Sequence, residues 1–176
     1  MKAVFLDRDG VVVEDKHYQF KTSDMRILDG VPEAIARLNK AGYLVVIISN
    51  QSGVARGYFT EKDVRAFNEH LVAELKTRGA RIDAVYYCPH HPTKAKVEKY
   101  RVDCDCRKPK PGMLIKAAKE HDIVLSGSWM VGDKDSDVQA GKSAGCRTIC
   151  IGEGKSAADA TAPDIRGAVD IILSKG

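Results

Sequence analysis

Ala3-Val4-Phe5-Leu6-Asp7-Arg8-Asp9-Gly10 runs four apolar residues straight into two carboxylates and a glycine. A short apolar run bounded by a polar turn reads as a strand buried on both faces. Outward from it the same pattern repeats. Residues 44–48 form the longest purely aliphatic run, which ends at Ser49 and Asn50. Residues 84–87 end at Cys88, residues 129–131 end at Gly132-Asp133, and residues 147–151 make a fifth strand. Helical patterns lie between them. Residues 31–41 carry Ile35 and Leu38 on one face and stop at Gly42. From Thr60, set with Asp63 like a capping box, Val64, Phe67, Leu71, Val72 and Leu75 keep helical spacing as far as Gly79. Pro111 suits the first turn of a helix through Met113, Leu114, Ala117 and Ala118. Residues 137–144 form a short helix closed by Gly145, and residues 168–173 a helical tail. Alternating continuous apolar strands and helices predict an α/β fold, a parallel sheet with helices on both faces. Ligands in such folds sit at the carboxyl ends of strands. The residues to inspect are therefore Asp7, Asp9, Ser49, Asn50, Cys88 and Asp133.

Composition narrows the function classes. A chain of 176 residues, 30% charged and 44% hydrophobic, has the makeup of one ordinary globular domain rather than a disordered segment. No apolar run approaches the roughly 20 residues that span a bilayer. The apolar stretch after Lys2 stops at Leu6, which is no secretory h-region, so a cytoplasmic address is expected. The net charge of +4 does not by itself call for nucleic acid. Five cysteines, an odd number, favour metal ligation or core burial over a disulfide framework. The charge is uneven: residues 88–119 carry nine basic and three acidic side chains, so that window is +6 and the rest of the chain −2. Three of the five cysteines fall in the same window.

Asp7 and Asp9 are i and i+2 on an extended chain and point the same way. Two carboxylates that close need a proton or a cation between them. Asp133 arrives from another strand end as a third, and converging carboxyl oxygens suit Mg²⁺. A carboxylate beside Mg²⁺ can attack phosphorus and form an aspartyl phosphate. Lys108, just before a helix start, is the natural cation for the phosphoryl oxygens, and the Ser49 hydroxyl a donor to another.

The set Asp7-x-Asp9-Gly10-Val11, Ser49, Lys108 and Gly132-Asp133-x-x-x-Asp137 resembles, in order, all four motifs of the haloacid-dehalogenase superfamily. That resemblance implies a Rossmann-like three-layer fold and Mg²⁺-dependent phosphoryl transfer. It implies Asp7 as nucleophile and Asp9 as the acid that protonates the leaving oxygen and then the base that activates water. Mg²⁺ would be held by Asp7, the Asp9 carbonyl and Asp133, with Asp137 orienting the site from behind. The gaps between Asp9, Ser49 and Lys108 are already filled by a loop, helices and a strand, so no cap domain is expected. Residues 1–176 should form a single capless domain with an open site and a zinc loop at residues 88–108.

Cys88, His90, Cys104 and Cys106 are the expected zinc ligands, a closed tetrahedral set that staples this loop. His91 is a weaker candidate, and Cys146 and Cys150 are expected in the core of the last strand. With these residues the resemblance narrows. Asp7–Gly10, Asn50-Gln51-Ser52-Gly53-Val54-Ala55-Arg56-Gly57, Tyr87-Cys88-Pro89-His90-His91-Pro92 and Cys104-Asp105-Cys106-Arg107-Lys108-Pro109 are similar to the heptose-1,7-bisphosphate 7-phosphatase family. Those enzymes make precursors of lipopolysaccharide or S-layer glycans. The resemblance implies a small sugar bisphosphate as substrate, contacted by Asp15, His17, Tyr18, Asn50, Gln51, Ser52, Arg107 and Lys134. Val11 and Ser49 stand where threonine is common in the family, and Ser49 keeps the hydroxyl. A bisphosphate also needs a second cationic partner, which arginine supplies bidentately. The nearest rival is a histidinol-phosphate phosphatase, whose family usually carries an acidic residue at the position of Ser52. A polynucleotide 3′-phosphatase or a zinc-stapled nucleic-acid module is disfavoured because the basic window holds few aromatics beyond Tyr100. A monomer is expected.

Overall fold

The computed structural model describes residues 1–152 and 156–175. Six strands form one parallel sheet: β1 (Ala3–Asp7), β2 (Leu44–Asn50), β3 (Ala84–Cys88), β4 (Trp129–Gly132), β5 (Arg147–Ile151) and β6 (Ala160–Ala162), in the spatial order β3-β2-β1-β4-β5-β6. Among the described residues, α1 (Val31–Lys40), α2 (Glu61–Thr77), α3 (Gly112–Glu120) and α4 (Asp135–Ala144) connect successive strands from β1 to β5, and α5 (Ile165–Ser174) follows β6.

The period-two alternation of each strand builds two separate cores. Val4 and Leu6 of β1, with Val45 and Ile47 of β2, face α1, α2 and α5 through Leu38, Phe67, Leu71 and Ile172. Ala3 and Phe5, with Val46 and Ile48, face α3 and α4 through Met113, Leu114 and Ala140. Each fully buried aliphatic side chain contributes about 1.5–3 kcal/mol. The expected three-layer α/β architecture is therefore present.

Local signals act as read. Thr60 caps α2, its Oγ1 accepting from the Asp63 amide at 3.3 Å while the Asp63 carboxylate accepts from the Thr60 amide at 2.7 Å. Gly145 ends α4 in the left-handed region at φ +83°. Pro111 stands one residue ahead of α3, as its cap rather than in its first turn. Two expectations need correction. The last strand is β6, not β5, and Cys146 lies one residue before β5 while Cys150 is only half-buried on it. Among the described residues, no helix is long and apolar enough to cross a membrane.

Candidate active site

The strand order reverses between β1 and β4, and a crevice opens at that switch point outside the carboxyl ends of the strands. Asp7 is the last residue of β1, Ser49 and Asn50 end β2, Cys88 ends β3, and Asp133 follows β4 directly. After Asp7 the chain folds back sharply. The Arg8 carbonyl accepts from the amides of Val12 and Val13, both at 3.0 Å, and the Gly10 amide donates to the Val13 carbonyl at 2.8 Å. Gly10 has φ +91°, and a side chain there would collide with the Asp133 carboxylate. Glycine is therefore required on two counts.

Asp7, Asp133 and Asp137 bring carboxylate oxygens within 4.8 Å of one another. Lys108 closes the cluster. Its Nζ lies 2.8 Å from Asp7 Oδ1 and 2.5 Å from Asp137 Oδ1, and it donates to the Ile48 carbonyl at 3.3 Å. All three of these side chains are buried. Burial pushes the Asp7 carboxyl up to about 7, with Asp137 and Asp9 adding to the rise and Lys108 opposing it. Burial opposes the charge on Lys108, but its two carboxylate neighbours outweigh that and raise its pKa above the ordinary lysine value. Burial also raises the Asp133 carboxyl. Asp133 Oδ1 is buried with no hydrogen-bond partner. Crowded carboxylates, one of them with an unsatisfied oxygen, fit a hard divalent cation such as Mg²⁺.

The third carboxylate of this cluster is Asp137, not the Asp9 side chain that extended geometry suggests. The turn after Asp7 carries the Asp9 carboxylate to a network of its own. Its Oδ1 accepts from Gln19 Nε2 at 2.9 Å and its Oδ2 from Gln51 Nε2 at 2.9 Å, while Arg8 Nε and Nη2 bind both oxygens at 3.1–3.3 Å. Gln51 Nε2 also donates to Ser49 Oγ at 2.6 Å, so the buried serine hydroxyl is tied to the same network. Asn50 grips the Lys108 peptide at both ends: its Oδ1 accepts from the Lys108 amide and its Nδ2 donates to the Lys108 carbonyl, each at 3.0 Å. Asn50 thus fixes the loop that delivers the lysine.

A cleft of about 200 Å³ opens beside this centre. Its walls include Asp15, His17, Tyr18, Asn50, Gln51, Ser52 and Lys134, seven of the eight expected substrate contacts. Lys134 Nζ reaches Asp15 Oδ2 at 3.2 Å, so two of them pair with each other. His17 and Tyr18 hold φ of 52° and 54°, unusual for residues with side chains, and the His17 amide donates to Asp15 Oδ1 at 3.0 Å. The Arg56 guanidinium sits 5.5 Å over the Tyr18 ring, which meets Tyr58 edge-on. Arg107 is the exception. It does not line the cleft, and its Nη1 donates to the His90 carbonyl at 3.3 Å. Burial and the charges of Arg107, Arg56 and Lys94 hold the His91 imidazole below its ordinary pKa. Three lining residues escaped the sequence reading: Arg8, Gln19 and Gly53. Gln19 and Gly53 carry no periodic signal, and Arg8 alternates away from both aspartates on an extended chain.

The cysteine loop forms a second centre. Cys88, His90, Cys104 and Cys106 place their ligating atoms within 4.8 Å of one another. The sulfurs of Cys88 and Cys104 are 3.5 Å apart and those of Cys104 and Cys106 are 3.1 Å apart; His90 Nδ1 lies 3.8 Å from Cys88 Sγ and 3.6 Å from Cys106 Sγ. A tetrahedral zinc ion holds sulfur and nitrogen ligands roughly 3.5–3.8 Å apart, a range that all of these separations meet except the closer Cys104–Cys106 pair. Hydrogen bonding from Cys88 and its neighbours draws the Cys106 thiol down to about 5, while sharing with Cys106 and burial push Cys88 up. Two thiols crowded round one thiolate suit a divalent metal. The loop is anchored to α2, where Glu61 accepts from the hydroxyls of Tyr100 at 2.8 Å and Tyr87 at 2.9 Å.

A family model described as HAD-hydrolase-like matches residues 105–173. The chain is 50% identical over 143 residues to a D-glycero-beta-D-manno-heptose-1,7-bisphosphate 7-phosphatase of Rhodopseudomonas palustris, covering 81% of this chain and 79% of the relative. It is 40% identical over 173 residues to the protein of that name from Escherichia coli K12, covering 98% and 88%. A D-glycero-alpha-D-manno-heptose-1,7-bisphosphate 7-phosphatase of Burkholderia mallei is 39% identical over 174 residues, covering 97% and 92%. Among solved structures, a D,D-heptose 1,7-bisphosphate phosphatase from B. bronchiseptica, complexed with magnesium and phosphate, matches with a TM-score of 0.86 at 33% identity across all of both chains.

Proposed function

The chain belongs to the D-glycero-D-manno-heptose-1,7-bisphosphate 7-phosphatase family of HAD-like hydrolases, and on that premise we propose that it removes the 7-phosphate of D-glycero-D-manno-heptose 1,7-bisphosphate during nucleotide-heptose precursor synthesis. One observation carries the assignment of roles: the buried Asp7–Lys108–Asp137 triad at the switch point, with the unpartnered Asp133 oxygen beside it.

Asp7 attacks phosphorus through a carboxylate oxygen, and the bond from phosphorus to the sugar oxygen breaks. Asp9 gives that oxygen its proton, and the free alcohol leaves. Asp9 then takes a proton from water, which attacks the phosphorus of the aspartyl phosphate. The phosphorus–carboxylate bond breaks, Asp7 is restored and inorganic phosphate departs. Lys108 balances the charge on Asp7 and on the phosphoryl oxygens, while Asp137 holds Lys108 in place. Ser49, tethered by Gln51, donates to a further phosphoryl oxygen. Mg²⁺ would be held by Asp7, Asp133 and the Asp9 carbonyl, and when bound it supplies charge neutralisation for the phosphoryl group. Asp15, His17, Tyr18, Asn50, Gln51, Ser52 and Lys134 hold the sugar and its second phosphate, with Arg107 at the edge. Zinc on Cys88, His90, Cys104 and Cys106 is structural. We further assign a single capless domain, a monomer and a cytoplasmic address.

A phosphate-release screen tests the substrate. kcat/KM on the heptose bisphosphate should exceed that on histidinol phosphate by at least about 10²-fold, since a site built for a second dianion leaves its cations unpaired without one. The reverse ranking overturns the substrate. Asp7→Asn should abolish turnover, and retained phosphatase activity in that variant refutes the nucleophile.

A further inference from the structure

We propose that Arg8 is a positioning residue of this reaction, fixing the Asp9 carboxylate against helix α2 so that it meets the leaving oxygen in one orientation. The inference rests on the reading of Asp9 as acid and base.

Arg8 stands between the two aspartates, and only 1% of its surface is exposed. A buried arginine needs a reason to be there. Its guanidinium is bound on every side. Nε and Nη2 grip Asp9, Nη1 donates to Asn68 Oδ1 at 3.0 Å, and the plane lies 4.4 Å from the centroid of the Phe67 ring. Phe67 and Asn68 both belong to α2 and are both buried. Asp9 itself sits at the cleft wall on a loop. Arg8 thus refers a loop carboxylate to a rigid helix.

The remaining donors complete the frame. Gln19 and Gln51 each bind one Asp9 oxygen from the cleft side, and each gives its other N–H to a second acceptor, the Glu14 carbonyl and Ser49 Oγ respectively. Both oxygens therefore have their directions set, and only Arg8 touches both. A planar fork makes two bonds at fixed angles, which an ammonium cannot reproduce. Arg8 reaches the cleft wall, but each of its guanidinium nitrogens is committed to Asp9 or Asn68, so its effect passes through Asp9.

The test is a double-mutant cycle on kcat and KM with the heptose bisphosphate. Arg8→Met keeps length and packing but removes the fork. It should lower kcat by about 10²-fold and leave KM within about 3-fold, because a misplaced catalytic group costs rate rather than binding. In an Asp9→Asn background the same change should cost less than about 3-fold further, since the group it positions is already gone. Arg8→Lys should restore no more than a tenth of the wild-type kcat. Losses that multiply in the double variant, a loss borne by KM, or full recovery with lysine would overturn the proposal. Full activity in Asp9→Asn alone would instead overturn the acid–base reading of Asp9. If Arg8→Met does not fold, Asn68→Ala, which removes only the far anchor, should lower kcat about 3- to 10-fold and lose that effect in the Asp9→Asn background. Unchanged kcat in Asn68→Ala would then refute it.

Discussion

Replacing Lys108 by methionine should unfold this protein in a pH-dependent way. Lys108 is buried and is the cation shared by Asp7 and Asp137, at 2.8 and 2.5 Å. Removing one partner of a buried ion pair costs about 3–5 kcal/mol, because the remaining charge is stranded away from water. A chain of this length shifts its Tm by roughly 2–4 °C per kcal/mol, so a fall of about 6–20 °C is expected at pH 8. At lower pH the cost should shrink. The Asp7 carboxyl is already pushed up to about 7 by burial, and loss of the lysine raises it further. A carboxyl whose folded pKa lies above its unfolded value destabilises the fold at high pH and ceases to do so as pH falls through the folded value, where the native state takes up a proton. One such proton is worth about 1.4 kcal/mol per pH unit, so the variant regains up to about 2.7 kcal/mol between pH 8 and pH 6; the wild type, with Asp7 near 7, regains about 1.4 kcal/mol over the same range, and the gap should narrow by about 1.3 kcal/mol. Denaturant melts of both proteins, in Mg²⁺-free buffer without chelator so that zinc is retained, measure the gap. A gap below about 1 kcal/mol at pH 8, or one equal at pH 6 and pH 8, would refute the reasoning.

Protein purified without added metal should carry about one zinc per chain by elemental analysis, and Cys106→Ser should destabilise the fold by about 3 kcal/mol, the scale for releasing a closed loop of this length. A metal-free chain with an unchanged Tm would remove the zinc centre from the account. Gly10→Ala should cost about 1–3 kcal/mol from the left-handed backbone alone and lower kcat at least about 10-fold as Asp133 is displaced; wild-type values in both assays would contradict the packing at the switch point.

Much of the site is legible because strand ends announce themselves. A buried strand must stop where the chain becomes polar, so Asp7, Ser49, Cys88 and Asp133 mark the carboxyl edge before any fold is known. Cys88, His90, Cys104 and Cys106 are legible for another reason: soft ligands bunched in a polar loop have few other uses. Strand β6 is not legible. Ala160-Thr161-Ala162 has no apolar periodicity, and its strand character comes from pairing with Ile149, Cys150 and Ile151.

Periodicity and local side-chain chemistry were enough to read the layered fold, the strand that ends at Asp7 and the Cys/His cluster, since each is confined to short segments. Which side chains meet across the chain follows from packing alone. It brings Lys108 to Asp137 and Asp7, and puts Asp137 in the carboxylate cluster where alternation pointed to Asp9. It turns Arg107 toward the His90 carbonyl and swings the Arg8 guanidinium round to bind Asp9 against α2. A long side chain at the end of a turn can reach either face. Its partner is chosen by the helix packed above it, and no local pattern of residues records that choice.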